Sequence, residues 1–145
     1  MRRMWIAVLA AALAGCPADA PPACTTVETT CTPLYEPTFA NVYNTTLRAG
    51  CGSGLSSCHA RGGDGNMSLE DPATAYQSLL AGRVTPGDPG CSEMIVRANA
   101  PGKDYEMPPG ATLSEAERCS LILWVERGAP GPVTLTAPGP GDEAP

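Results

Sequence analysis

A chain of 145 residues is one domain's worth, and its sixteen Gly and sixteen Pro commit much of it to loop. One Phe and two Trp argue against a large aromatic core. The formal charge is −6, or 7 − 15 = −8 once Arg2 and Arg3 are set aside with the segment expected to be removed. No Lys/Arg cluster is left to neutralise a row of phosphates, so nucleic acid is not an expected partner, and the acidic surface favours a basic one.

Residues 1–15 place Arg2 and Arg3 before a short apolar run that ends in small residues, the pattern of a secretory signal. The run is too short to span a bilayer permanently. Leu13-Ala14-Gly15-Cys16 resembles the bacterial lipobox, which implies cleavage before Cys16 and acylation of that residue. The competing reading is an ordinary signal peptide with a chance cysteine. Several acyl chains on Cys16 would anchor the chain without a transmembrane helix. Pro17, where inner-membrane retention is associated with aspartate, favours the outer membrane.

Export puts the rest of the chain where disulfides persist. Six cysteines remain: Cys24, Cys31, Cys51, Cys58, Cys91 and Cys119. Residues 16–36, rich in Pro, Thr and Ala, read as a tether, with Cys24 and Cys31 expected to close a small loop within it.

Thr38 is expected to start a first helix that buries Phe39, Val42, Tyr43 and Leu47 and stops at Gly50, delivering the chain into Cys51. Cys51-Gly-Ser-Gly-Leu-Ser-Ser-Cys58-His59 follows and holds the only histidine; a glycine-rich loop comes next. Asp71-Pro72 opens a second helix with Ala75, Tyr76, Leu79 and Leu80 on its apolar side and Gly82 as its stop. After a turn-rich link, Ser92 can cap a short helix carrying Met94, Ile95 and Ala98. Met107 lies in the loop beyond. Ser114 and Glu117 make the capping box of a last helix, whose run Leu121 to Val125 is apolar on nearly every side and so buried. Gly128 ends it, and residues 131–145 read as a disordered tail. With no strand-like alternation, the fold class is mainly α.

A Cys-His pair early and a Met-Pro loop late is the layout of a c-type haem domain. The chain resembles a bacterial group of exported, cytochrome c-like lipoproteins. The resemblance rests on Cys58-His59, Met107-Pro108-Pro109-Gly110, Leu113-Ser114-Glu115-Ala116-Glu117 and Trp124-Val-Glu-Arg-Gly128-Ala129, and covers residues 37–130. It implies a small helical cytochrome c-like domain with haem c as cofactor. Cys51 and Cys58 would carry the thioethers, His59 and Met107 would be axial ligands, and a redox partner protein would exchange electrons. An imidazole on one face and a soft, neutral thioether on the other favour ferrous iron, and Pro108 and Pro109 restrict the backbone around Met107.

The chain departs from the usual attachment motif, since six residues rather than two separate Cys51 from Cys58. Three outcomes stay open: both cysteines bind haem, Cys58 alone binds it, or the two bridge each other on a haem-free relic of the fold. Met67 and Met94 compete with Met107 as ligands, Met67 from a glycine-rich loop and Met94 from a helix face. Cys91 and Cys119 are expected to bridge the third helix to the last, at about 3 kcal/mol on an entropy model. No Cys-x-x-Cys pairing of the zinc kind is present. The leading expectation is a membrane-anchored electron carrier rather than an enzyme. The alternative is a haem-free, disulfide-stapled binding or structural module. A peroxidase-like enzyme with an open iron site has no support beyond the haem, because no nucleophile–base pair is visible.

Overall fold

The computed structural model describes residues 20–52, 58–60 and 65–132. The expected signal segment, the Cys16 lipidation site and residues 133–145 of the expected tail lie outside the described residues. The described chain is mainly α, with no strand.

Thr38 caps the first helix, its hydroxyl accepting from the Asn41 N–H at 3.3 Å. Helix α1 (Phe39–Asn41) passes directly into a π-helix, π1 (Val42–Gly52), so the winding is wider than the expected α-helix and continues past Gly50. The expected face holds all the same: Phe39, Val42, Tyr43 and Leu47 are buried. Asp71 caps α2 (Pro72–Leu80) by accepting from the Thr74 N–H at 2.9 Å, and Pro72 sits where its missing N–H costs nothing. Leu80, expected on the apolar side, is instead exposed, while Ala75 and Leu79 are buried and Tyr76 packs partly buried against the core.

Helix α3 (Glu93–Ala98) follows Ser92, which makes no side-chain cap. The Ser92 hydroxyl is fully buried and holds the preceding turn, accepting from the Thr85 N–H at 2.9 Å and lying 2.8 Å from the Asp88 carbonyl. Helix α4 (Glu115–Glu126) has the expected capping box. The Ser114 hydroxyl accepts from the Glu117 N–H at 3.2 Å, and the Glu117 carboxylate accepts from the Ser114 N–H at 2.9 Å. Its buried residues include Cys119, Leu121, Ile122, Trp124 and Val125, so α4 is the central element of the core.

The aromatic residues are few but gathered together. Phe39 stacks edge-on against Tyr76 at a ring-centroid distance of 5.0 Å and lies 5.7 Å from Trp124. The Trp124 indole N–H donates to the Pro130 carbonyl at 3.1 Å, and the Tyr76 hydroxyl donates to the Ala129 carbonyl at 3.1 Å. These bonds lay the chain after Gly128 back over α2 and α4.

The disulfides correct the expected pairing. Cys24 joins Cys91, and Cys31 joins Cys119. Residues 24–36 are therefore no tether. They cross α3 and α4, with the Thr25 N–H donating to the Gly90 carbonyl at 2.8 Å and the Leu34 N–H donating to the buried Ser120 hydroxyl at 2.9 Å. Proline-rich composition had suggested a free linker, but an extended segment can satisfy its backbone donors on a neighbouring helix. Two long-range bridges then anchor it.

Candidate functional site

The end of π1, residues 58–59, residues 65–69, α3 and the Met107 loop surround a cavity of about 270 Å³. Its lining brings together all four residues singled out for a cofactor, Cys51, Cys58, His59 and Met107, along with Met67 and Met94. Leu47, Leu69, Leu79, Leu113 and Leu121 supply apolar walls. The volume lies just below the usual range for small-ligand sites, about 300–1,000 Å³.

Hydrogen bonds hold the early half of the site against the chain that follows it. The Gly65 N–H donates to the Cys58 carbonyl at 2.6 Å, and the Leu69 N–H donates to the His59 carbonyl at 2.8 Å. Tyr43 on π1 then secures this segment by donating to the Glu70 carbonyl at 2.8 Å. Gly65 packs so closely that a Cβ there would run into the His59 imidazole and the Cys58 carbonyl oxygen. Sequence reading had taken Gly65 only as a loop residue.

His59 Nδ1 is buried without a hydrogen-bond partner among the described residues. Burial lowers the His59 pKa, and the positive charges of Arg83 and Arg97 lower it further. The imidazole is thus neutral near pH 7, the form that ligates a metal. Burial also pushes the Cys51 thiol up to about 11, with Glu117 adding to the effect. Cys51 and Cys58 do not bridge each other, because Cys51 keeps a titratable thiol while Cys58 is disulfide-bonded. A disulfide sulfur cannot at the same time carry a thioether.

Met107 is held from two sides. Its N–H donates to the Arg97 carbonyl at 3.2 Å, tying the loop to α3. The preceding Glu106 is buried and accepts from the Gly102 N–H at 2.8 Å and from the Thr112 hydroxyl, pinning both ends of the loop. Those two hydrogen bonds, Thr112 first, hold its carboxyl below the usual range. Pro108 lies against the end of π1, since a Cβ on Gly50 would meet its Cγ at 3.8 Å.

Arg83, Glu93 and Arg97 line the same cavity and were not singled out in the sequence. Glu93 bridges the two arginines, one carboxylate oxygen meeting Arg83 and the other accepting from Arg97 Nε at 2.8 Å. Only the Glu93–Arg97 half has a sequence signal, the i,i+4 spacing on a helix.

Among the described residues, no group of three or more His, Cys, Asp and Glu side chains is placed to hold a metal ion, and no helix is long and apolar enough to cross a membrane. Comparison of the chain with protein-family models, with curated proteins and with solved structures finds no match.

Proposed function

We propose that this chain is a small c-type haem protein, anchored to a bacterial membrane through a lipid on Cys16, that carries electrons in the periplasm on a cytochrome c-like helical scaffold. One observation carries the reading. Cys51, Cys58, His59 and Met107, spread across the sequence, line a single cavity with otherwise largely apolar walls.

The donor set fits haem c. A neutral imidazole and a neutral thioether suit iron that cycles between ferrous and ferric states. The Nδ1 edge of His59 abuts Gly65, which leaves Nε2 as the ligand nitrogen. Glu106 and the Arg97 carbonyl hold the Met107 backbone, limiting the entropy lost when a weak ligand is fixed. Cys51 and Cys58 line the same cavity as His59 and, once the Cys58 disulfide is reduced, would supply the covalent attachment. Bound haem would supply one-electron redox chemistry, and the apolar walls would keep water from it.

The decisive experiment is a pyridine haemochrome spectrum of the full chain, exported in a host that carries haem-attachment machinery. The expected result is one haem per chain with thioether-type bands, and loss of the low-spin Met–His spectrum in Met107→Ala. Colourless protein from that host would overturn the reading.

The disulfide at Cys58 favours a second reading, a haem-free module stapled by disulfides on the same scaffold. It predicts three bridges, no added haem mass and no lipid on Cys16, the one cysteine left to pair with Cys58.

A further inference from the structure

Two guanidinium groups in the wall of a mostly apolar cavity call for an explanation, because burying charge is costly unless it is paired or used. Glu93 balances only one of them. Its carboxylate takes one N–H group from Arg83 and one from Arg97. Arg97 also donates to the Tyr105 carbonyl at 3.4 Å. Each guanidinium carries more donors than these contacts use, set in a planar fork that matches a carboxylate. The bridge also locks the pair in place, since α3 carries Glu93 and Arg97 while Arg83 follows α2. The side chains are only 34% and 19% exposed for Arg83 and Arg97. The cavity therefore has an apolar body and one edge of net positive charge.

We propose that Arg83 and Arg97, spread by Glu93, form a carboxylate clamp that grips the propionate groups of the porphyrin. The inference rests on the haem reading above and adds to it which way the macrocycle enters, with its acidic edge toward α3. A flat, apolar ring with a dianionic edge complements these walls, and charge-assisted hydrogen bonds to two guanidinium groups would fix its rotation before His59 and Met107 engage.

The test uses the full chain exported without haem attachment and an iron-free porphyrin, mesoporphyrin, as the free diacid and as its dimethyl ester. Binding is read by porphyrin fluorescence. The diacid is expected to bind at least about tenfold more tightly than the diester, as one charge-assisted hydrogen bond alone would produce. Arg83→Gln and Arg97→Gln should each remove part of that preference, and the double variant all of it. Diester binding should be unchanged in every variant, which also reports that they are folded. Equal affinity of the wild-type chain for diacid and diester, or no binding of either, overturns the clamp without any variant. A preference that survives in the double variant also overturns it. If palmitate at equal concentration displaces the diacid, the assignment to porphyrin is wrong. Because no iron is present, failure of His59 or Met107 to ligate cannot affect the result. Failure of the haem reading would show instead as a missing haemochrome.

Discussion

Opening the Cys31–Cys119 bridge tests the crossed disulfide pairing and the docking of residues 24–36 together. The bridge closes a sequence separation of 88 residues, which alone would constrain the unfolded chain by about 4.6 kcal/mol on the chain-entropy model. The second bridge shortens that path. With Cys24–Cys91 intact, the route runs seven residues from Cys31 to Cys24, across the bridge, and 28 residues from Cys91 to Cys119. A loop of about 35 residues corresponds to about 3.8 kcal/mol. The route is the same with the roles exchanged, so either bridge should cost about 4 kcal/mol when lost alone, and both together about 8 kcal/mol. Cys31→Ala/Cys119→Ala, followed by circular dichroism in urea and on heating, should thus lose about 4 kcal/mol and roughly 15–30 °C in midpoint. Cys119 is buried in the core, so part of the double variant's loss is packing. Cys31→Ala alone keeps the Cys119 side chain and isolates the chain-entropy share. A local pair Cys24–Cys31 would behave differently, its short loop contributing only about 2.4 kcal/mol. A loss below about 1 kcal/mol in both variants would refute the crossed pairing as a restraint on the unfolded chain.

Other perturbations probe the site directly. Gly65→Ala drives a methyl group into the His59 ring and the Cys58 carbonyl, and should cost about 1–3 kcal/mol and abolish the haem spectrum that the proposed function predicts; unchanged stability would show that the contact yields freely. Burial raises the pKa of Glu93, but hydrogen bonds and charge from Arg97 and Arg83 outweigh it, so the folded value lies below the ordinary one. Stability from this group is present above the unfolded pKa and lost as pH falls through the folded value. Glu93→Gln should flatten acid unfolding below about pH 4.5, and an unchanged acid limb would count against the bridge. In the haem-free protein the Cys51 thiol, pushed up to about 11, should react with iodoacetamide far more slowly at pH 8 than a small-molecule thiol does, and rapid labelling would show it to be less buried. Trp124→Ala removes the fully buried ring at the centre of the aromatic group and should cost about 3–5 kcal/mol in urea unfolding.

What the sequence disclosed was mostly local chemistry. Thr38, Asp71 and the Ser114–Glu117 box mark helix starts because a side-chain oxygen finds an amide only a few residues away. Ser92 looks the same in sequence but turns its hydroxyl back to Thr85 and Asp88, a choice set by how tightly the link before α3 folds. The periodicity of Phe39 to Leu47 found the buried face but not the π winding, since buried residues at those positions suit either helix. The four candidate cofactor residues were legible because the only histidine directly follows Cys58 and Met107 opens a Met-Pro-Pro-Gly run. Gly65, Arg83 and Glu106 were not, because their roles come from residues that only the fold brings beside them. Cysteine connectivity was illegible for the same reason, as spacing alone does not select among pairings.

The oxidation state of Cys58 makes a Cys58 thioether and the Cys58 disulfide mutually exclusive within each molecule. One sulfur forms either a disulfide or a thioether, and in this structure it forms a disulfide. Haem attachment through Cys58 therefore requires that its thiol be reduced when the porphyrin vinyl group arrives. Cys24–Cys91 and Cys31–Cys119 place no such demand, since none of these four cysteines lines the cavity. Intact-mass and non-reducing peptide analysis of matured protein should then find two populations. Chains bearing haem should keep these two bridges and have no disulfide at Cys58, and chains that carry the Cys58 disulfide should lack both haem and the Cys16 lipid, because Cys16 is the only cysteine left to pair with Cys58. Thiol reductant supplied during export should move chains from the second population to the first. Haem-bearing chains that keep the Cys58 disulfide would refute the account of attachment through Cys58. They would leave Cys51 as the sole attachment point, and the haemochrome band would report a single thioether.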